Sequence, residues 1–206
     1  MPKFNQQTKE KILVAAESVF HENGLKGART TLIAERAGVS RTMLHYYFST
    51  KEDLFNEVLQ NTFGFFMQSA QALFVEIKDL KTLIDKLIDL LCDISLEKPG
   101  LPSFVVNLLN ESPELVTALP LVQQENIPVL FDRLLEEARA NNEIQSDISG
   151  ENLLLNIYGL TSIPFLGAPL IKFKENRSEE DMKDFLTQRK EMLKTFVWNA
   201  IKSKRE

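Results

Sequence analysis

The stretch SRTMLHYYFSTK, residues 40–51, concentrates side chains that can hydrogen-bond, stack and carry charge. Read as a helix at about 100° per residue with Leu44 inward, it sorts them by direction. Phe48 and Tyr47 fall within about 60° of the inner side, Tyr46 and Thr42 lie about 160° from it, and Met43 and His45 flank the outer face. Arg41 occupies the exposed first turn. One face therefore offers a hydroxyl, a thioether, an imidazole, a phenol and a guanidinium, groups suited to base edges and phosphates. The other offers rings that wedge into a core.

Thr30 to Ser49 reads as helix, turn, helix. Ile33, Ala34 and Ala37 form the inner side of the first helix, and the two small alanines let a second helix cross close above it. Gly38 stands where a left-handed turn residue is wanted, Val39 plugs the corner and Ser40 caps the next helix. Leu44 follows five residues after Val39. Small, glycine, apolar, cap and apolar residues in this order are more specific than an amphipathic pattern, and the arrangement presents its second helix to a DNA major groove.

From about Thr8 to Leu59 the chain resembles the DNA-binding domain of the TetR family of transcriptional repressors. That pattern is a helix ending before glycine, then IAxxAGVS, a short helix with LYxYF, and SKExL. This chain has Gly24, Ile33-Ala34, Ala37-Gly38-Val39-Ser40, Leu44, Tyr47-Phe48 and Lys51-Glu52-Asp53-Leu54. The resemblance implies that Thr42, Met43 and Tyr46 face base edges, with Lys51 on a phosphate beside the free N–H groups that open the next helix. Arg29, Thr31, Arg41 and His45 are implied backbone contacts, and Ser40 completes the DNA-binding set. Read alone, Lys51 is a solvated surface lysine, and His45 fits a packed or exposed imidazole equally well. Ala28-Arg29 followed by Thr30-Thr31 replaces the family's frequent opening pair of hydroxyl residues. Thr42 stands where glycine is frequent and His45 where tyrosine is usual, departures that bear on which operator is read. The resemblance further implies a two-fold homodimer on a pseudo-palindromic double-stranded operator, with half-site centres about 34 Å apart or slightly more.

Length and composition agree with a folded protein. The 206 residues are 44% hydrophobic, enough for one large or two small domains. Residues 1–55 hold eight Lys/Arg against six Asp/Glu, and the remainder holds sixteen against twenty-three, so only the first quarter suits a polyanion. One cysteine, Cys92, rules out an internal disulfide framework, and two histidines are too few for Cys/His metal clusters. No cofactor or metal is expected. The apolar run ILVAA is too short for a signal peptide or anchor and is followed by Glu17, so a cytoplasmic location is expected.

Periodicity is helical nearly throughout, which makes the fold all-α. We expect residues 1–50 to form the three-helix DNA-binding domain and 51–206 a larger helical domain for effector binding and dimerisation. Helices are expected from about Thr8 to Asn23, with Gly24 as a left-handed stop, and from a threonine cap at Thr50, answered by Asp53, to about Ile77. Others cover about 78–96 and 101–110, start again at Ser112-Pro113-Glu114, break at Pro120, and kink or restart at Pro128 before an Asn pair closes them. The last two cover about 150–163 and 178–203. Asn152 to Ile171 is charge-free over twenty residues, but Gly159, Gly167, Pro164 and Pro169 would break a membrane span. We read it as a buried helix entering a Pro/Gly loop.

By resemblance, the last two helices pair with those of a second subunit as a four-helix bundle, and the all-round apolar surface of Leu153, Leu154, Leu155, Ile157, Tyr158 and Leu160 agrees. The family also implies a cavity for a small hydrophobic or amphipathic effector, for which Phe66, Phe104 and Phe131 are candidate lining residues and Cys92 a candidate thiol sensor. An enzyme is not expected. Neither His21 nor His45 has Glu three residues before it, as a di-iron bundle wants, and Gly-rich phosphate loops and G-x-S-x-G elbows are absent. The remaining alternative is a helical protein-binding adaptor with a degenerate reading helix.

Overall fold

The computed structural model describes residues 5–117 and 127–203, and among them are eleven α-helices and no strand. The helices group into two compact units, Met1–Phe66 with Ser103–Leu121, and Met67–Pro102 with Val122–Glu206.

The first unit opens with α1 (Gln6–Gly27), which starts two residues before the expected Thr8 because the Asn5 side chain caps it, accepting from Gln7 N–H at 2.9 Å. Gly24 has φ 65°, as a stop residue should, yet the helix only kinks there. Ala28 N–H donates to Gly24 O at 3.2 Å and closes one further turn. Helix α2 (Thr30–Ala37) packs on α1 and crosses α3 (Arg41–Tyr47). Gly38 between them adopts φ 66°, ψ 31°, and Val39 N–H reaches back to Ala34 O at 3.0 Å, a left-handed closure that glycine makes without side-chain strain. Helix α4 (Lys51–Glu76) begins with a reciprocal cap: Thr50 N–H donates to Asp53 Oδ2 and Asp53 N–H to Thr50 Oγ1. Ile12, Ala16, Val19, Phe20, Ile33, Leu44, Phe48, Leu54 and Phe55 form this unit's buried core. Helices α6 (Leu101–Glu111) and α7 (Pro113–Thr117) add Phe104, whose ring meets Phe55 and His21. The break expected at Pro120 lies outside the described residues.

In the second unit α5 (Leu80–Glu97) packs against α11 (Glu179–Ile201), and α9 (Gly150–Leu166) packs against both α5 and α8 (Ile127–Ala140). Leu83, Ile84, Ile88, Phe131, Leu135, Leu153, Ile157, Leu193 and Val197 fill the centre. Pro128 sits in the first turn of α8, where its missing N–H costs nothing, so it starts the helix. At the other end Asn142 takes φ 57° and Glu143 N–H bonds Ala138 O, the expected asparagine closure. An isolated antiparallel bridge between Ile144 and Lys202 ties that turn to the end of α11.

The expected Pro/Gly loop after residue 163 is a correction. Helix α9 runs through Pro164, and after Gly167 a short α10 (Ala168–Glu175) turns away by 58°. Pro169 lies in the first turn of α10, the one helical position that suits proline. No single helix among the described residues is long and apolar enough to cross a membrane.

Candidate nucleic-acid interface

All nine side chains proposed for DNA contact lie in the first unit, at the start of α2, along α3 and at the start of α4. Helix α3 displays Arg41, Thr42, His45 and Tyr46 to solvent, the last with 49% of its surface exposed, while Met43 is half-buried and Leu44 buried. Ser40 is exposed and its Oγ accepts from Met43 N–H at 3.1 Å, so it fixes the start of α3. Arg29 and Thr31 are exposed at the start of α2. There Arg29 is the cap residue but its side chain makes no capping bond. Arg29 thus leaves the first N–H groups of α2 uncapped by its own side chain, which suits an anion.

The two rings that the helical wheel puts on the inner side do lie inward, but each is held in its own way. Phe48 is buried, but it is no longer helical: with φ −135° and ψ 113° it ends α3, so its burial follows from an extended backbone. Tyr47 is half-buried. Its phenol accepts from Asn5 N–H at 2.7 Å and donates to Asn5 O at 3.1 Å. A tyrosine rather than phenylalanine on an inward face is the one sequence signal for such a partner, since a buried phenol needs one.

Lys51 is half-buried, and its Nζ donates to Leu25 O at 2.8 Å and Ala28 O at 3.3 Å. A surface lysine is therefore not its state in the free domain. It satisfies carbonyls left open at the end of α1. Arg36 links α2 to α1: it grips Glu22 through two bonds of 2.6 and 2.7 Å and also reaches Ser18 Oγ. Those hydrogen bonds hold the Glu22 carboxyl below its ordinary pKa.

This geometry fixes a short, capped helix outward on a three-helix base, and residues 12–58 match the bacterial regulatory proteins of the tetR family. Over those residues the chain is similar to the TetR family's amino-terminal domain. The HTH-type transcriptional repressor NicS of Pseudomonas putida is 31% identical over 106 residues, 52% of this chain and 49% of that protein. The HTH-type transcriptional regulator RutR of Escherichia coli is 42% identical over 64 residues, 31% of this chain and 30% of that protein. The matches thus span half or less of the length of these relatives. Among solved structures, a TetR transcription regulator from Haloarcula marismortui superposes with a TM-score of 0.65 at 19% identity, covering 97% of this chain and 100% of that one. The ketosteroid transcriptional regulator of Mycobacterium tuberculosis superposes at 0.69 with 15% identity, covering 98% of each chain. Both show that the whole chain has the TetR fold, with a helix-turn-helix domain and a helical remainder.

The effector candidates of this TetR-like chain do not share one setting. Phe131 is fully buried in the second unit, edge-on to Phe74 at 5.0 Å. Phe104 is buried in the first unit, beside a cleft of about 230 Å³ that Phe20, His21, Phe55 and Asn107 also line. Phe66, at the end of the first segment of that unit, is half-buried. Cys92 needs correction: it is buried in the core of the second unit, and burial pushes its thiol up to about 11. A protonated, enclosed thiol fills space and is not poised as a sensor.

Proposed function

We propose that the chain is a cytoplasmic, sequence-specific DNA-binding transcription regulator, a repressor that leaves a pseudo-palindromic operator when a small apolar or amphipathic ligand binds. The observation that carries this reading is the outer face of α3. There Arg41, Thr42, His45 and Tyr46 stand in solvent on a helix too short to hold its shape except as part of a packed domain. Thr42, Met43 and Tyr46 read base edges, while Arg29, Thr31, Ser40, Arg41, His45 and Lys51 hold phosphates. An ammonium has three N–H donors, so Lys51 keeps its two carbonyls and turns the third to a phosphate. Relatives named as a transcriptional repressor and a transcriptional regulator support the same reading.

A regulator of this kind works as a homodimer, because a palindrome repeats its half-site by a two-fold axis. Leu155 and Ile163 on α9 and Met192 and Phe196 on α11 are each more than half exposed, an apolar set at helical spacing that a second copy would cover. The ligand acts by favouring a dimer whose two reading helices are wrongly spaced for the operator.

Selection of randomised duplexes by the purified protein, followed by sequencing, tests the proposal. A pseudo-palindrome with half-sites about one helical turn apart is the expected product. Enrichment of no sequence, together with capture of a protein partner, would instead identify an adaptor.

A further inference from the structure

The phenol of Tyr47 binds both backbone groups of Asn5, forty-two residues earlier in the chain. Asn5 caps α1, its side chain accepting from Gln7 N–H while its carbonyl accepts from Thr8 and Lys9 N–H. The phenol oxygen is therefore anchored to both backbone groups of the residue that caps α1. The anchored ring then meets its neighbour: the rings of Tyr47 and Tyr46 stand edge to face, 5.5 Å apart at 89°. Tyr46 is the large aromatic that α3 exposes, with about half of its surface in solvent. The Tyr47 ring is a contact that limits its swing.

We propose that Tyr47 is a positioning residue for DNA reading: its phenol, locked to the Asn5 backbone, holds the ring against which Tyr46 is set. The contact chain runs from the α1 cap through Tyr47 to Tyr46, and so makes the direction of one reading side chain depend on the start of another helix. A fixed ring loses less rotamer freedom on binding than a free one, so the gain appears in affinity for the chosen sequence. On unrelated duplexes Tyr46 has no matched base to meet, and the contribution vanishes. The inference rests on α3 being a DNA-reading helix.

The test uses the full chain and the operator that the wild type selects, with a scrambled duplex at the same salt. Tyr47→Phe removes one oxygen and keeps the ring. We expect it to weaken operator binding about three- to tenfold, the effect of one lost hydrogen-bond group, and to leave scrambled-duplex binding unchanged. In a Tyr46→Ala background the same change should have no further effect, the coupling that a double-mutant cycle reads. With ring-labelled tyrosine, the Tyr46 resonances of the free protein should shift in Tyr47→Phe. Additive losses, equal losses on both duplexes, unchanged Tyr46 resonances, or a Tyr47→Phe chain that no longer folds would each overturn the positioning role and leave α3 as the reading helix. A wild type that selects no palindrome would overturn the DNA reading itself, and the role falls with it.

Discussion

The ammonium of Lys51 donates to the carbonyl of Leu25 at 2.8 Å, tying the first residue of α4 to the last turn of α1. That turn follows the Gly24 kink, and its open carbonyls have no helical successor to satisfy them. Lys51 therefore has a structural duty before any DNA arrives. We expect Lys51→Met to lower the stability of the domain by about 1.5 kcal/mol, the scale of a hydrogen bond to a charged group, read as a lower urea midpoint at unchanged slope. If the third N–H also meets a phosphate, the slope of log affinity against log salt falls by about one in the same variant. Loss of stability with an unaltered salt slope would confine Lys51 to its role at the α1 terminus.

Gly38 carries the turn that aims α3. At φ 66° a Cβ meets no atom within 4 Å, so the cost of Gly38→Ala is purely that of holding an L-residue in the left-handed region, about 1–2 kcal/mol. A thermal melt should show the loss, and DNA affinity of the folded fraction should stay close to wild type. A large affinity loss without a stability loss would mean that the turn also sets the angle of α3.

The parts that the sequence discloses and those it hides differ in range. Ser40 on Met43, and Thr50 with Asp53, are hydrogen bonds across three residues, and the residue types at that spacing suffice to foresee them. The same holds for Gly38 and for the closure at Asn142. Gly24 shows the limit. Its positive φ was readable, but in the extra turn beyond it the Leu25 carbonyl is met by Lys51, twenty-six residues later in the chain. The phenol of Tyr47 on Asn5 is equally remote, and a helical wheel carries no information about it. Helix α10 was hidden for another reason: Pro164, Gly167 and Pro169 look like loop residues, although proline is at home in a first helical turn.

Asp79 caps α5, its carboxylate accepting from Thr82 N–H at 2.6 Å, and these bonds to Thr82 hold its pKa below the ordinary aspartate value. A group depressed in the folded state contributes stability above its unfolded pKa and loses it as pH falls through the lower folded value. Acid titration of the wild type should therefore show a loss of stability beginning near the usual aspartate range and continuing below it. Asp79→Asn keeps a good cap and should flatten part of that limb, whereas Asp79→Ala should cost about 1 kcal/mol already at neutral pH. An acid limb identical in Asp79→Asn and wild type would remove Asp79 as its source.

Cys92 should resist modification in the native protein. Its thiol is buried and pushed up to about 11, so the reactive thiolate is scarce at neutral pH and the reagent cannot approach it. Alkylation by iodoacetamide should be slow when native and fast in denaturant, with mass spectrometry as the readout. Rapid native alkylation would show that the core around α5 opens.

The exposed apolar sets on α9 and α11 lead to the last expectation. Leu155 and Ile163 are each 62% exposed, and Met192 and Phe196 are 56% and 58% exposed, while their neighbours Leu153, Ile157, Leu193 and Val197 are buried. Each helix thus has two apolar faces, one for its own core and one left to a partner. Placing a carboxylate on the second face by Leu155→Glu or Phe196→Glu leaves the intrachain core untouched, but buries a charge in the proposed two-fold contact, where symmetry sets it near its own copy. Sedimentation at micromolar concentration should then show a folded monomer, where the wild type is expected to sediment as a dimer. Operator affinity should fall by far more than any single side-chain contact explains, because a monomer reads one half-site. A wild type that already sediments as a stable monomer would overturn this assignment of the two faces.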